Sequence, residues 1–481
     1  MTEATSFAAS VVRAGAGIFG SSLLGLAIQV AVARGLGVEA FGVYGFGLAY
    51  VALWQVIMDG GSGVLATREA RASHAWNLEA LVALKPVLLT VGYAGLVGVA
   101  WAAGFEAATW RVVAVLGIQA AGLATLIFAA SIFRGHEEFG TESLHLIAQR
   151  VLFGLLVGAV LLTGGGVLGV SVVGAISYMS VSLVAVTLVA RRHRVRVGFD
   201  AILLRTHRRA LARALGPLML ADGLVQIQMR SAQLILSATS GMAEVGVYSV
   251  VRRVVEGLNL LPSTFAMTLF PRLVAAWRES PERLPGRLRI GLRFAGTLAA
   301  AVLVGGALWG NEVMIGLFGA PYAPAGPVFR ALAGGLAMMS INAVLVLALI
   351  AVGRERAYAA ALALAAAVNV AANLALTPRL GAYGSALAAV ASDATLLAGC
   401  LLALRRVMAG FVPVREWAVL AAGGALAFIA LLAVKQVSVV AAAALTVAAL
   451  LAGFEAMSPL GFRDVFALRA GGGGAFDRAG V

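Results

Sequence analysis

Four polar residues on one predicted helix carry the most chemistry in this sequence: Asp222, Gln226, Arg230 and Gln233. The first three are spaced by four and the last follows by three, so a helix lines them up on one face. The next predicted helix holds Arg252, Arg253, Glu256 and Asn259. Arg252 and Glu256 are four apart and can pair, whereas Arg253 points about 100° away, so Arg252 is the preferred member of the arginine pair. Counted from their outer ends, Arg230 and Arg252 lie at similar depth. Two further predicted helices add Arg13, Ser22 and Gln29, and Gln55 and Asp59.

Guanidinium groups at that depth suit a phosphate-bearing ligand. Their fixed fork binds phosphate at two points and stays charged. Gln29, Gln55, Gln226 and Gln233 offer hydrogen bonds to hydroxyl-rich groups. Asp59 and Asp222 are the candidates for ion coupling, because a carboxylate in a dry span readily holds a proton. The competing structural reading makes Arg252–Glu256 and Arg230–Asp222 internal ion pairs that lock helices, and Arg13 an interfacial anchor. Asn342, Asn369, Asn373 and Asp393 are assigned to helix packing. Trp110, Tyr383 and Trp417, near span ends, read as interface anchors.

The elements that must position these residues are membrane helices. Of 481 residues, 61% are hydrophobic and 12% charged. Mean hydropathy is +0.96. Soluble domains are about half apolar and a quarter charged. Apolar runs of about 20 residues recur along the whole chain, the length that spans hydrocarbon as a helix. A transmembrane barrel would show alternating segments of about ten residues instead. About 14 spans are expected, at 12–33, 41–65, 82–103, 111–133, 144–163, 167–190, 214–238, 245–269, 292–318, 328–351, 357–377, 382–404, 416–434 and 437–456. A charged residue at a helix centre costs about 2.5–3.5 kcal/mol on insertion scales, so the polar stripes should face a wet cavity or each other.

The charges support this layout. With both termini cytoplasmic, the inside segments hold 28 of the 36 lysines and arginines and the outside connections only five. Positive charge favours the cytoplasmic side. The densest loop carries Arg191, Arg192, Arg194, Arg196, Arg205, Arg208, Arg209 and Arg213. The net charge of +14 is therefore a topology signal, with contact to anionic lipid headgroups as a second reading and no nucleic acid implied.

The sequence also repeats. Gly42, Val43, Tyr44, Leu65 and Arg68 match Gly246, Val247, Tyr248, Leu269 and Arg272 at a single offset. Each block begins on the outer side of a span and ends at a cytoplasmic arginine, so the unit holds six spans and the halves run parallel. The expected fold is an all-α polytopic membrane protein: two parallel six-helix repeats plus a C-terminal helix pair. The boundaries expected are 1–205 and 206–410 for the two lobes, 411–460 for the pair and 461–481 for a cytoplasmic tail. Parallel repeats occur in secondary transporters, with the site between halves.

Absences exclude other classes. No phosphate-binding G-x-x-x-x-G-K-[ST] loop is present. The five histidines map to cytoplasmic loops or rims without metal spacing, and Cys400 is the only cysteine, so no metal site, disulfide or cofactor is expected. The connections leave no room for the folded extracytoplasmic domain of a membrane polymerase or ligase, so no catalytic residue is assigned.

Ala33-Arg34-Gly35-Leu36-Gly37-Val38-Glu39-Ala40-Phe41-Gly42-Val43-Tyr44 resembles the first outer loop of the polysaccharide (oligosaccharide) flippases, the Wzx-type or O-antigen flippases of the multidrug/oligosaccharidyl-lipid/polysaccharide exporter superfamily. Asp59-Gly60-Gly61 with Leu65-Ala66-Thr67-Arg68-Glu69-Ala70-Arg71 resembles the end of that family's second helix, and Val245–Ser249 with Leu269-Phe270-Pro271-Arg272 its eighth. The resemblance implies export of a lipid-linked oligosaccharide on undecaprenyl diphosphate across the bacterial inner membrane by alternating access, for O-antigen or exopolysaccharide synthesis. It implies work beside glycosyltransferases and a polysaccharide polymerase, and a monomer is expected. The chain departs from many relatives at Ala232-Gln233, where they carry an acidic residue. The alternative is a cation-coupled multidrug exporter of the same superfamily, which would need a carboxylate-centred pocket.

Overall fold

The computed structural model describes residues 24–70, 75–193, 195, 198–438 and 445–446. Arg13 and Ser22, nearly all of the expected last span and the tail 461–481 lie outside the described residues. Among the described residues all regular structure is helical. In chain order the helices are α1 (Leu24–Leu36), α2 (Val38–Asp59), α3 (Ser62–Glu69), α4 (Ala75–Ala102), α5 (Ala107–Gly135), α6 (Phe139–Leu162), α7 (Gly166–Arg192), α8 (Ala201–Thr239), α9 (Met242–Leu258), α10 (Leu260–Glu279), α11 (Leu284–Phe318), α12 (Ala325–Ala351), α13 (Glu355–Arg405) and α14 (Val414–Val437).

Ten helices among the described residues are long and apolar enough to cross a membrane, α2 and α3 together counting as one. Large apolar side chains face outward along them, among them Trp101, Leu155, Leu162, Leu183 and Ile429. In water such a surface would be untenable, and in hydrocarbon it is the expected one. The chain is a multi-pass membrane protein. Span eight is divided between α9 and α10 at Asn259. Spans eleven and twelve lie in α13, whose backbone leaves helical geometry at Gly381. There the chain folds back on itself: the Ser392 hydroxyl donates to the Ala365 carbonyl at 2.9 Å, and Thr377 and Ser385 share a 2.9 Å hydrogen bond.

The backbone forms two compact units, Met1–Arg253 and Val254–Val481. In the first, α5 lies along α7 and also meets α2, while α2 packs against α4 and α8. One core cluster joins Leu81, Leu126, Phe133, Ala185, Leu211 and Leu215. In the second, α11, α12 and α13 pack in sequence and α14 lies on α11. Leu288, Leu292, Leu345, Leu349, Cys400 and Phe411 fill that core. The buried amides of α12 and α13 serve packing, as expected. Asn373 Nδ2 donates to the Asn369 carbonyl at 2.9 Å, and Asn342 Nδ2 to the Asp393 carbonyl at 3.1 Å.

Candidate functional site

Within the first unit the polar side chains form two groups. The first surrounds two tyrosines. Tyr44 of α2 is 1% exposed, and the side chain of Gln29 from α1 reaches its hydroxyl. Tyr178 of α7 has the matching arrangement with Gln149 of α6. Gln149 is itself buried, donating through Nε2 to the Ser177 hydroxyl at 3.2 Å. Arg150 and Arg253 both lie within electrostatic range of the two tyrosine hydroxyls. Arg150 stands eleven residues beyond the start of α6 and Arg253 eleven beyond the start of α9, so both sit well inside their helices. The Arg150 guanidinium crosses α1 at Gly25, where a β-carbon would lie 2.7 Å from its Nη1. Among the described residues Arg150 has no carboxylate partner. Two cations beside two phenols and two amides can hold a diphosphate by charge-assisted hydrogen bonds.

The second group lies where α2 ends. Gly60 (φ 63°) and Gly61 (φ 67°) are both left-handed, a geometry that costs glycine little, and the helix breaks there before α3. Lys85 of α4 projects into the break. It is 4% exposed and contacts the carbonyls of Met58 (3.0 Å) and Asp59 (3.4 Å). It also contacts Asp59 Oδ1 (3.5 Å) and the Ser62 hydroxyl (3.2 Å). The carboxylates of Asp222 and Asp59 lie within electrostatic range of each other, consistent with α8 meeting α2 at Leu218 over Gly61 and at Gly223 beside Val56.

The stripe on α8 is less exposed than the apolar residues beside it. Asp222, Gln226 and Arg230 are partly buried, while Leu220, Leu224 and Ile227 on other faces are exposed. Asp222 and Arg230 are eight residues apart, about 12 Å along the axis, too far for a direct pair in a helix. Gln233 is buried and donates through Nε2 to the Ser249 hydroxyl of α9 at 3.2 Å. Gln55 is partly buried one turn before Asp59, and Glu256 is partly buried on α9. Of the arginine pair, Arg252 is 8% exposed with its guanidinium against the Met229 thioether, whereas Arg253 is the one near Tyr44 and Tyr178. Arg252 and Glu256 are both at least partly buried on α9, one turn apart.

Arg150, Tyr178 and Lys85 were not singled out from sequence. Arg150 and Lys85 stand near the ends of apolar runs, where a cation reads as a topology signal. Tyr178 is one apolar residue among many in α7. No three-residue cluster of metal-ligating type occurs among the described residues.

Residues 9–277 match the family described as polysaccharide biosynthesis protein. Among curated proteins none matches the chain in sequence. In structure the chain resembles the lipid II flippase MurJ in an inward closed conformation, with a TM-score of 0.75 at 12% identity over 95% of this chain and 100% of that one. It also resembles an inward-facing multidrug resistance MATE family transporter of the MOP superfamily, with a TM-score of 0.64 at 17% identity over 80% and 94% of the two chains. A MOP superfamily transporter from Pyrococcus furiosus aligns with a TM-score of 0.57 at 17% identity over 83% and 95%. Low identity restricts these likenesses to the fold, which is that of flippases and transporters, and the family match covers more than half of the sequence: this chain belongs to the polysaccharide biosynthesis protein family.

Proposed function

We propose that this protein is a flippase that carries a polyisoprenyl-diphosphate-linked oligosaccharide across the bacterial inner membrane by alternating access, for surface polysaccharide synthesis. The observation that carries the reading is the pair Arg150 and Arg253 beside Tyr44 and Tyr178. A diphosphate is the part of such a substrate that hydrocarbon rejects most strongly, and paired guanidiniums neutralise it. Arg230 adds a third cation, and Gln29, Gln55 and Gln226 offer hydrogen bonds to sugar hydroxyls. The family match supports a polysaccharide precursor over a drug as cargo. The protein then works between glycosyltransferases that build the linked unit and a polymerase that consumes it.

The test is a deletion strain complemented with Arg150→Ala, Arg253→Ala or both, at matched expression. Each charge-assisted contact is worth about 1.5–3 kcal/mol, so each single variant should lower surface polysaccharide about tenfold or more. Full-length linked units should accumulate on the inner leaflet. Normal polysaccharide in the double variant removes the proposed role. A deletion strain that keeps its polysaccharide and becomes sensitive to cationic drugs indicates a multidrug exporter.

A further inference from the structure

We propose that the break in the second span is a monovalent-cation site whose permanent occupant is the ammonium group of Lys85. The inference stands whichever cargo the protein carries. Membrane transporters bind coupling cations at interrupted helices, where the carbonyls of a half-helix C-terminus lose their intrahelical partners. Here Gly60 and Gly61 interrupt the helix, and the carbonyls of Met58 and Asp59 are left at the end of α2. The Asp59 carboxylate and the Ser62 hydroxyl complete a set of four oxygens. Carbonyl, carboxylate and hydroxyl oxygens are the donors a hard cation takes, and the negative end of the α2 dipole favours positive charge there.

All four oxygens lie 3.0–3.5 Å from Lys85 Nζ. Calcium or magnesium would draw them in to about 2.0–2.6 Å. The observed spacing belongs to N–H···O contacts, or to a large, weakly held cation. Burial of a bare ammonium would be prohibitive without such partners. The Phe128 ring, 5.3 Å from Nζ, closes the remaining side with a face that attracts cations.

A tethered cation differs from a bound metal ion in one respect that matters here: it cannot leave. A metal ion at this break would enter and depart with each cycle and couple transport to its gradient. Lys85 holds its ammonium group at the break by its own side chain. The break thus retains the chemistry of a cation site without its exchange, and free monovalent cations should bind only when the lysine arm is removed.

The test uses the purified full-length protein in nanodiscs, with thermal unfolding measured in choline, sodium, potassium and methylammonium chloride at equal ionic strength. Wild type should melt at one temperature in all four. Lys85→Ala should melt lower in choline and recover by about 2–4 °C in potassium or methylammonium. Lys85→Ala combined with Asp59→Asn should melt low in every salt. Lys85→Met, whose chain fills the arm's space without charge, should be destabilised and unresponsive. The proposal is overturned if Lys85→Ala responds equally to choline and the small cations, or if wild type gains as much from them. It is also overturned if Lys85→Met is as stable as wild type, a result that remains readable should the alanine variant fail to fold.

Discussion

Gly42 and Gly246 press together with no space for a side chain on either. A β-carbon on Gly42 would overlap the Met242 carbonyl oxygen and lie 3.1 Å from the Gly246 nitrogen. One on Gly246 would overlap the Val38 carbonyl oxygen and lie 3.2 Å from the Gly42 nitrogen. The contact is reciprocal, and the two glycines hold equivalent positions in the Gly-Val-Tyr repeat. The repeat thus meets its own copy, α2 against the start of α9.

Gly42→Ala and Gly246→Ala should each be strongly destabilising, because the obstructing atoms are backbone and no rotamer can relieve the overlap. Overpacking of this kind costs about 1–3 kcal/mol. Both changes break one shared contact, so the double variant should lose little more than either single one. Thermal unfolding of the three variants measures this, and strictly additive losses would show that the two positions act independently.

Arg252 and Arg253 should separate packing from transport. Arg252 lies against Met229 in the interior, so Arg252→Ala removes packed methylenes and lowers the melting temperature. Arg253 stands by Tyr44 and Tyr178, so Arg253→Ala should leave stability nearly unchanged and lower transport about tenfold. Parallel measurements of unfolding and polysaccharide export test the division, and the opposite pattern would make Arg252 the ligand-facing residue.

The class of fold was legible because apolar runs about as long as the bilayer core leave few alternatives. The α8 stripe was legible because a spacing of three and four is local geometry. What escaped depended on contacts between helices. Lys85 looks like an interfacial cation until α2 is known to break at Gly60 and Gly61, which turns two carbonyls toward it. Arg150 looks the same until α6 is seen to begin at Phe139, which carries the arginine well into the helix. That Arg252 lies against Met229 while Arg253 comes near Tyr44 and Tyr178 could not be read from their own helix, because those contacts depend on the neighbouring helices. The reversal inside 355–405 was anticipated as two spans, and Gly381 marks where the chain turns.

Glu416 should be the point on which α14 is fastened at its N-terminal end. Its carboxylate accepts from Arg289 at 3.0 and 3.2 Å and also from Arg293, and the neighbouring Trp417 donates through Nε1 to the Leu292 carbonyl at 3.1 Å. Arg289 and Arg293 are four residues apart on α11, so without the carboxylate they repel each other. Glu416→Ala should therefore loosen the start of α14, increasing trypsin cleavage after Arg415 and shifting the Trp417 emission to the red. Arg289→Ala should have a smaller effect, because Arg289 is 44% exposed and Arg293 still holds the carboxylate. At the far end of α14, Lys435 pairs with Glu312 at 2.6 Å, contacts the Leu308 carbonyl and stands 4.6 Å from the Trp309 ring. This second attachment should keep the C-terminal part of α14 protected when Glu416 is removed. Equal cleavage of Arg289→Ala and Glu416→Ala would mean that the carboxylate is not the centre of the fastening, and cleavage no faster than wild type in either would assign it to Trp417.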